Sequence, residues 1–116
     1  MIINLVFIAR LLTTSSVGIA TTFTSENDPG NPDPRLYCTG KVLRDRDKVV
    51  AHPTLECGSK VFLYAPRTGR SVVATVADRG PRHALVDLSL GTARALRANG
   101  WEKVIMLPLP FTSGGR

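Results

Sequence analysis

A chain of 116 residues, 43% of them hydrophobic and 21% charged, has room for one small domain with part of its length spent on a leader and a linker. The formal net charge of +6 invites a nucleic-acid partner, but the basic residues are scattered and only two tyrosines and one tryptophan accompany them. No stacking platform or recognition helix is legible, which leaves a solvated basic surface or attraction to an anionic polymer such as an acidic glycan.

Residues 1–20 (MIINLVFIARLLTTSSVGIA) are apolar, contain no acidic residue and end in Gly18-Ile19-Ala20, a small-x-small pattern suited to signal-peptidase cleavage after Ala20. They read as an export leader, placing the protein in the periplasm or outside the cell with no membrane span left after leader removal. Arg10 interrupts the apolar run and no basic residue precedes it. An uncleaved membrane anchor and a buried N-terminal segment therefore stand as alternatives. Residues 21–34, rich in Pro, Gly, Asn, Asp and Ser, read as a flexible linker.

The folded domain is expected over residues 35–110, with 111–116 a loose tail. Residues 35–39 read as a first strand and 49–51 as a second. The latter leads into His52-Pro53, where the proline biases His52 toward an extended backbone. Residues 60–65 (KVFLYA) and 70–77 read as strands joined by the Pro66-Arg67-Thr68-Gly69 turn. Both faces of 72–77 are largely apolar, which suits a closed barrel better than a sheet with one wet side. Ser89 is a good N-cap for a helix over 90–98, with Leu90, Ala93 and Leu96 on one stripe and Asn99-Gly100 as its stop. Residues 103–107 form a last strand before Pro108 and Pro110 forbid further pairing. Many short strands with a single small helix make this an all-β chain, a compact barrel.

Two cysteines remain. A bridge between Cys38 and Cys57 would stabilise a small core by about 3 kcal/mol on the chain-entropy model; two buried thiols are the alternative. No Cys-x-x-Cys pair or Cys/His cluster is present, so neither a structural metal nor a cofactor is expected. The chain also has no internal repeat, glycine-rich phosphate loop or Gly-x-Ser-x-Gly elbow.

The stretch 72–89, VVATVADRGPRHALVDLS, carries the most chemistry. An apolar strand stops at Asp78-Arg79-Gly80-Pro81, and Asp87 follows at the mouth of the helix. A strand end can present a carboxylate on a rigid support. His52, in AHPTLECG, adds a third titratable group. Each has a plainer use: Asp78 as a turn cap, Asp87 as a helix N-terminal charge, His52 as a packed ring. Arg79 and Arg82 serve equally as solvated turn residues, and His83 reads as surface.

The order AHPTLECGSKVFLY, TGRSVVATVADRGPRHALVDLS, TARAL and a final strand resembles the double-psi β-barrel of the rare lipoprotein A family. That family's pattern runs close to A-H-x-T-L-P-[FC]-G-T-x-V-x-V, then N-G-R-S-V-V-V-x-V-x-D-R-G-P, then D-L-S with an alanine-rich helix. The match spans about 38–107, and expansins and barwin-like proteins share the barrel and its Asp…Asp-Leu-Ser pair. The resemblance implies a six-stranded double-psi barrel, a Cys38–Cys57 disulfide, and peptidoglycan glycan strands as the partner. It further implies lytic transglycosylase cleavage to 1,6-anhydro-muramyl products. Asp78 would be the acid/base, His52 its catalytic neighbour, Asp87 the second acid of the groove, and Arg79, Arg82 and Tyr37 substrate-facing. A single acid/base group suffices for this reaction: it protonates the glycosidic oxygen, then takes the proton of the sugar's own 6-hydroxyl as that oxygen attacks the anomeric carbon.

This chain departs from the pattern at Pro53 and Glu56, which stand for the usual Arg and Pro, and in a shorter 81–87 stretch. The family's early Tyr-Gly and Thr-Ala-x-Gly elements read as reduced to Leu36-Tyr37-Cys38-Thr39-Gly40. These departures keep two rivals open: a non-catalytic expansin-like wall-binding module, and a small secreted interaction protein on the same scaffold.

Overall fold

The computed structural model describes residues 15–23 and 35–110. Six strands, β1 (Ser16–Phe23), β2 (Val49–Ala51), β3 (Lys60–Ala65), β4 (Arg70–Asp78), β5 (Val86–Ser89) and β6 (Trp101–Pro108), close into a barrel in the order β1-β5-β2-β4-β3-β6. One helix, α1 (Leu90–Leu96), interrupts them between β5 and β6. The β3/β4 hairpin forms as its alternation requires, with Lys60 opposite Thr75 and Ala65 opposite Arg70. Two pairings, β1 with β5 and β2 with β4, are parallel, and the rest are antiparallel. Parallel pairs cannot be closed by a tight hairpin, so the chain has to cross the barrel to make them. Inside lie Ala20, Val50, Val61, Leu63, Val76, Val86, Leu88, Leu96 and Val104, all without exposure. A smaller cluster of Leu36, Leu43 and Ala77, with Phe23 and Val49 against it, seats the 35–44 segment on the outer wall.

The N-terminal reading is corrected here. Ser16–Phe23 is a barrel strand paired on both edges, to β5 and to β6, and Ala20 is fully buried. Cleavage after Ala20 would cut that strand in half; residues 16–20 belong to the folded barrel, with Ala20 buried and Val17 exposed. The small-x-small pattern has a packing cause instead: a Cβ on Gly18 would come within 2.8 Å of the Leu85 Cβ. Residues 21–23 accordingly belong to β1 rather than to a linker, and the domain starts well before residue 35. Residues 1–14, 24–34 and 111–116, with the rest of the leader, linker and tail readings, lie outside the described residues.

Further boundaries differ: β4 runs one residue longer, to Asp78, and β6 runs from Trp101 to Pro108, with Pro108 still opposite Val61 at the end of the ladder rather than ending the pairing before it. Residues 35–39 are not a strand; Arg35 makes an isolated bridge to Val42, and Tyr37–Thr39 turn so that Cys38 meets Cys57 in a disulfide. Residues 86–89 are a strand, too short to stand out beside the helix that follows. That helix ends at Leu96 because Arg97 adopts a left-handed φ of 54°. The β3–β4 turn takes over its free carbonyls: Thr68 Oγ1 donates to Leu96 O at 2.7 Å and Arg67 Nη2 to Arg97 O at 3.0 Å. Arg67 also grips the buried Glu102 carboxylate at 2.7 Å, which fixes the start of β6 and, with the Asn99 N–H, holds that carboxyl below its ordinary pKa.

Candidate functional site

The three residues of β2 arrange the site. Val50 stands opposite Val76 on one side and Leu88 on the other, all facing the core, and Ala51 stands opposite Asp78 and Asp87. Strict alternation from Val76 would turn Asp78 inward with it. A register shift between Val50 and Ala51 leaves Ala77 as an extra residue in β4, a bulge that turns Asp78 to the outer wall beside Ala51 and Asp87. The bulge is held from both flanks, since Cys38 N–H donates to Ala77 O and His52 N–H to Asp78 O, each at 3.0 Å. The two aspartates thus share one face at one level with β2 between them, their Cα atoms about 10 Å apart by two strand spacings.

Their surroundings differ. Asp78 Oδ1 accepts the N–H of Arg79 at 2.8 Å and of Tyr37 at 3.3 Å, while Oδ2 has no partner among the described residues. Asp87 is half-buried between Val86 and Leu88, and its Oδ1 accepts the Thr21 hydroxyl at 2.9 Å. Burial pushes its pKa above the ordinary carboxyl value; the Thr21 hydrogen bond pulls it back, and the Asp78 charge raises it again. Thr21 escaped the sequence reading because it fell in the supposed linker. Alternation would not have located it, because the apolar Val17 and Ile19 share its face of β1 while the small Gly18 and Ala20 turn inward.

The main chain of His52 meets that of Asp78, its N–H donating to Asp78 O at 3.0 Å, but the ring is not a free base at Nδ1. That nitrogen accepts the N–H groups of Thr54 at 3.2 Å and Leu55 at 3.1 Å, so the neutral ring carries its hydrogen on Nε2. Burial, and next the Arg79 charge, lower its pKa. His52 is therefore an uncharged N–H donor at neutral pH.

Arg79 spends its guanidinium within the protein. Nη1 donates to the carbonyls of Leu55 at 2.6 Å and His52 at 3.1 Å, Nη2 reaches Cys57 Sγ at 3.4 Å, and Cζ lies 5.8 Å from the centre of the Tyr37 ring. It ties the 52–57 segment to the disulfide and to Tyr37, whose own ring is exposed. Arg82 and His83 are exposed on the connection between β4 and β5. Gly80 takes φ +115°, a conformation side chains disfavour, which accounts for the glycine of the Asp-Arg-Gly-Pro turn.

A cleft of about 610 Å³ adjoins the Asp78 end of the wall, between the 35–47 segment and β4. Four cations, Arg35, Lys41, Arg44 and Arg46, line it with Thr75 and Ala77 at its base. Among the described residues, no cluster of His, Cys, Asp and Glu suits a metal ion, and no helix is long and apolar enough to cross a membrane.

No family model matches the chain. Over 64 residues, 53% of its length, it is 41% identical to "Probable endolytic peptidoglycan transglycosylase RlpA" of Nostoc sp., of which that stretch is 17%. The protein of the same name in Synechocystis sp. is 38% identical over 64 residues and 20% covered. The chain therefore spans a fifth or less of these two relatives. Among solved structures, the crystal structure of apo Clavibacter michiganensis expansin aligns with a TM-score of 0.62 and 26% identity, covering 86% of this chain and 52% of the expansin chain. An Asp-to-Asn mutant of the same expansin in complex with cellohexaose aligns at 0.63 with 22% identity, over the same shares of the two chains, and bears on the fold alone. On the residue pattern, the closed six-stranded topology and these likenesses together, the chain carries an RlpA-like double-psi β-barrel related to that of the expansins.

Proposed function

We propose that this protein acts on the glycan strands of peptidoglycan as an exported lytic transglycosylase, with the Asp78/Asp87 pair at the scissile bond. The observation that carries the reading is one carboxyl held toward its protonated form by burial, with a second across β2, on an open wall of an RlpA-like barrel. Local similarity to two proteins named as peptidoglycan transglycosylases supports the substrate class. The Cys38–Cys57 bridge supports export, since such bonds persist in oxidising compartments.

The sequence pattern assigns the proton to Asp78; the surroundings favour Asp87 as its holder. Asp87, whose acid form burial favours, gives its proton to the glycosidic oxygen in this scheme, and the carboxylate left behind accepts the 6-hydroxyl proton as that oxygen closes on the anomeric carbon. Asp78 stabilises positive charge developing on the sugar and keeps the Asp87 pKa high. His52 Nε2–H orients a sugar oxygen.

The test incubates the purified protein with peptidoglycan and follows 1,6-anhydro-muramyl products by mass spectrometry. The wild type yields them, and Asp87→Asn reduces the rate by about 10²-fold or more, the ordinary contribution of an acid/base group. Asp78→Asn moves the basic limb of the pH–rate profile to lower pH, because it removes the charge that raises Asp87. Loss of product in Asp78→Asn with Asp87→Asn fully active would exchange the two roles. Likeness to expansin supports a second reading, wall-glycan binding without cleavage. Retention on peptidoglycan with no anhydro product from the wild type selects it.

A further inference from the structure

We propose that Trp101 forms a sugar-stacking subsite on the same wall, a reading that rests on the glycan-directed function above and extends it away from the carboxylates. Trp101 is the first residue of β6 and is 62% exposed, one of four exposed large apolar side chains among the described residues, with Val17, Tyr37 and Val73. Its place in the register sets it apart from a stray surface aromatic. Trp101 stands opposite Thr21, Thr21 opposite Asp87, Asp87 opposite Ala51, and Ala51 opposite Asp78. Directly opposed residues project their side chains to the same face. The Thr21 hydroxyl on Asp87 Oδ1 fixes which face that is, and the burial of Glu102 and Val104 on the alternate positions of β6 confirms it for Trp101.

The row therefore crosses five neighbouring strands, with the indole about 10 Å from Asp87 and about 20 Å from Asp78 measured by strand spacing. Because barrel strands tilt, such a row runs obliquely along the wall rather than around its girth. An oligosaccharide laid on it meets the indole a few sugar rings from the reacting bond. The backbone that carries the ring is fixed. The main-chain N–H of Trp101 donates to Asn99 Oδ1 at 3.2 Å, and the next residue, Glu102, is buried and held by Arg67 and the Asn99 N–H. An aromatic face, negative at its centre, suits the C–H face of a pyranose, and with its backbone fixed the indole has only two side-chain torsions to order when the sugar arrives.

Trp101 is the chain's one tryptophan, so its emission reports on this position without labelling. Wild-type protein is titrated with the β-1,4-linked hexamer of N-acetylglucosamine, with fluorescence and calorimetry run in parallel. The expected result is a saturable change in emission whose midpoint matches the calorimetric Kd. Trp101→Ala weakens hexamer binding about tenfold, Trp101→Phe recovers most of it, and circular dichroism shows both folded. Asp87→Asn keeps the fluorescence response although it has lost cleavage. Calorimetric binding with unaltered emission and an unaffected Trp101→Ala overturns the subsite and leaves the glycan reading standing. If the wild type neither binds the hexamer nor binds or cleaves peptidoglycan, the glycan reading falls and the subsite with it.

Discussion

Ser89→Ala should cost far more than the loss of a helix cap. Ser89 has no exposure and lies two residues after Asp87, at the corner where β5 becomes α1. Its Oγ accepts the Thr92 N–H at 3.3 Å, the capping bond, and also accepts the Val49 N–H at 3.2 Å while donating to Asp47 O at 2.6 Å. The 3.0 Å approach of Thr92 Oγ1 adds no further bond, because the Thr92 hydrogen goes to Val49 O at 2.9 Å. A cap alone is worth about 1 kcal/mol. Alanine would in addition strand the Asp47 carbonyl and the Val49 N–H, each at about 1 kcal/mol since both are only partly buried. The expected loss is about 3 kcal/mol, a large share of the roughly 5–15 kcal/mol that holds a domain together. Urea unfolding followed by far-ultraviolet circular dichroism measures it, and the melting temperature should fall by about 12 °C or more. A loss near 1 kcal/mol would refute the argument, leaving Ser89 a cap and removing the link by which it anchors the entry to β2 between the two aspartates.

Gly91→Ala should destabilise the fold by about 1–2 kcal/mol, although helix propensity alone would make alanine stabilising by about 1 kcal/mol. The added Cβ would lie 2.5 Å from Asp47 O and 2.9 Å from Arg46 C, both backbone, so the sign of the change in thermal unfolding decides between the two effects. Asp87→Asn should be more stable than the wild type at neutral pH. The folded-state pKa lies above the unfolded value, so ionising Asp87 costs stability as pH rises through the interval between them; the advantage of Asn should vanish on acidification below about pH 4. A pH series of denaturant midpoints that shows no convergence at low pH would contradict this. The double variant Arg44→Glu/Arg46→Glu should weaken retention on peptidoglycan several-fold at low salt by reversing charge in the basic cleft. That difference should disappear near 1 M salt, where screening acts within about 3 Å; a salt-independent difference would point to misfolding instead.

Local sequence determined the β3/β4 hairpin, the Ser89 cap and the Asp-Arg-Gly-Pro turn, because alternation, capping and turn chemistry act over a few residues. The residue pattern over 38–107 also carried the barrel and the disulfide through its family resemblance. Other features depended on partners far along the chain. Gly18-Ile19-Ala20 satisfies a signal-peptidase pattern and a close-packed strand equally well, and the pairing of β1 on both edges, the burial of Ala20 and the approach of Leu85 tell them apart. Asp78 reads as inward by alternation until β2 imposes its one-residue shift. The elevated pKa of Asp87 depends on tertiary burial and on the charge of Asp78 across β2, and it is moderated by a hydroxyl 66 residues away. Pairing register and desolvation are set by the closed barrel as a whole, so the aspartates were legible as residues while their orientation and protonation were decided by tertiary structure.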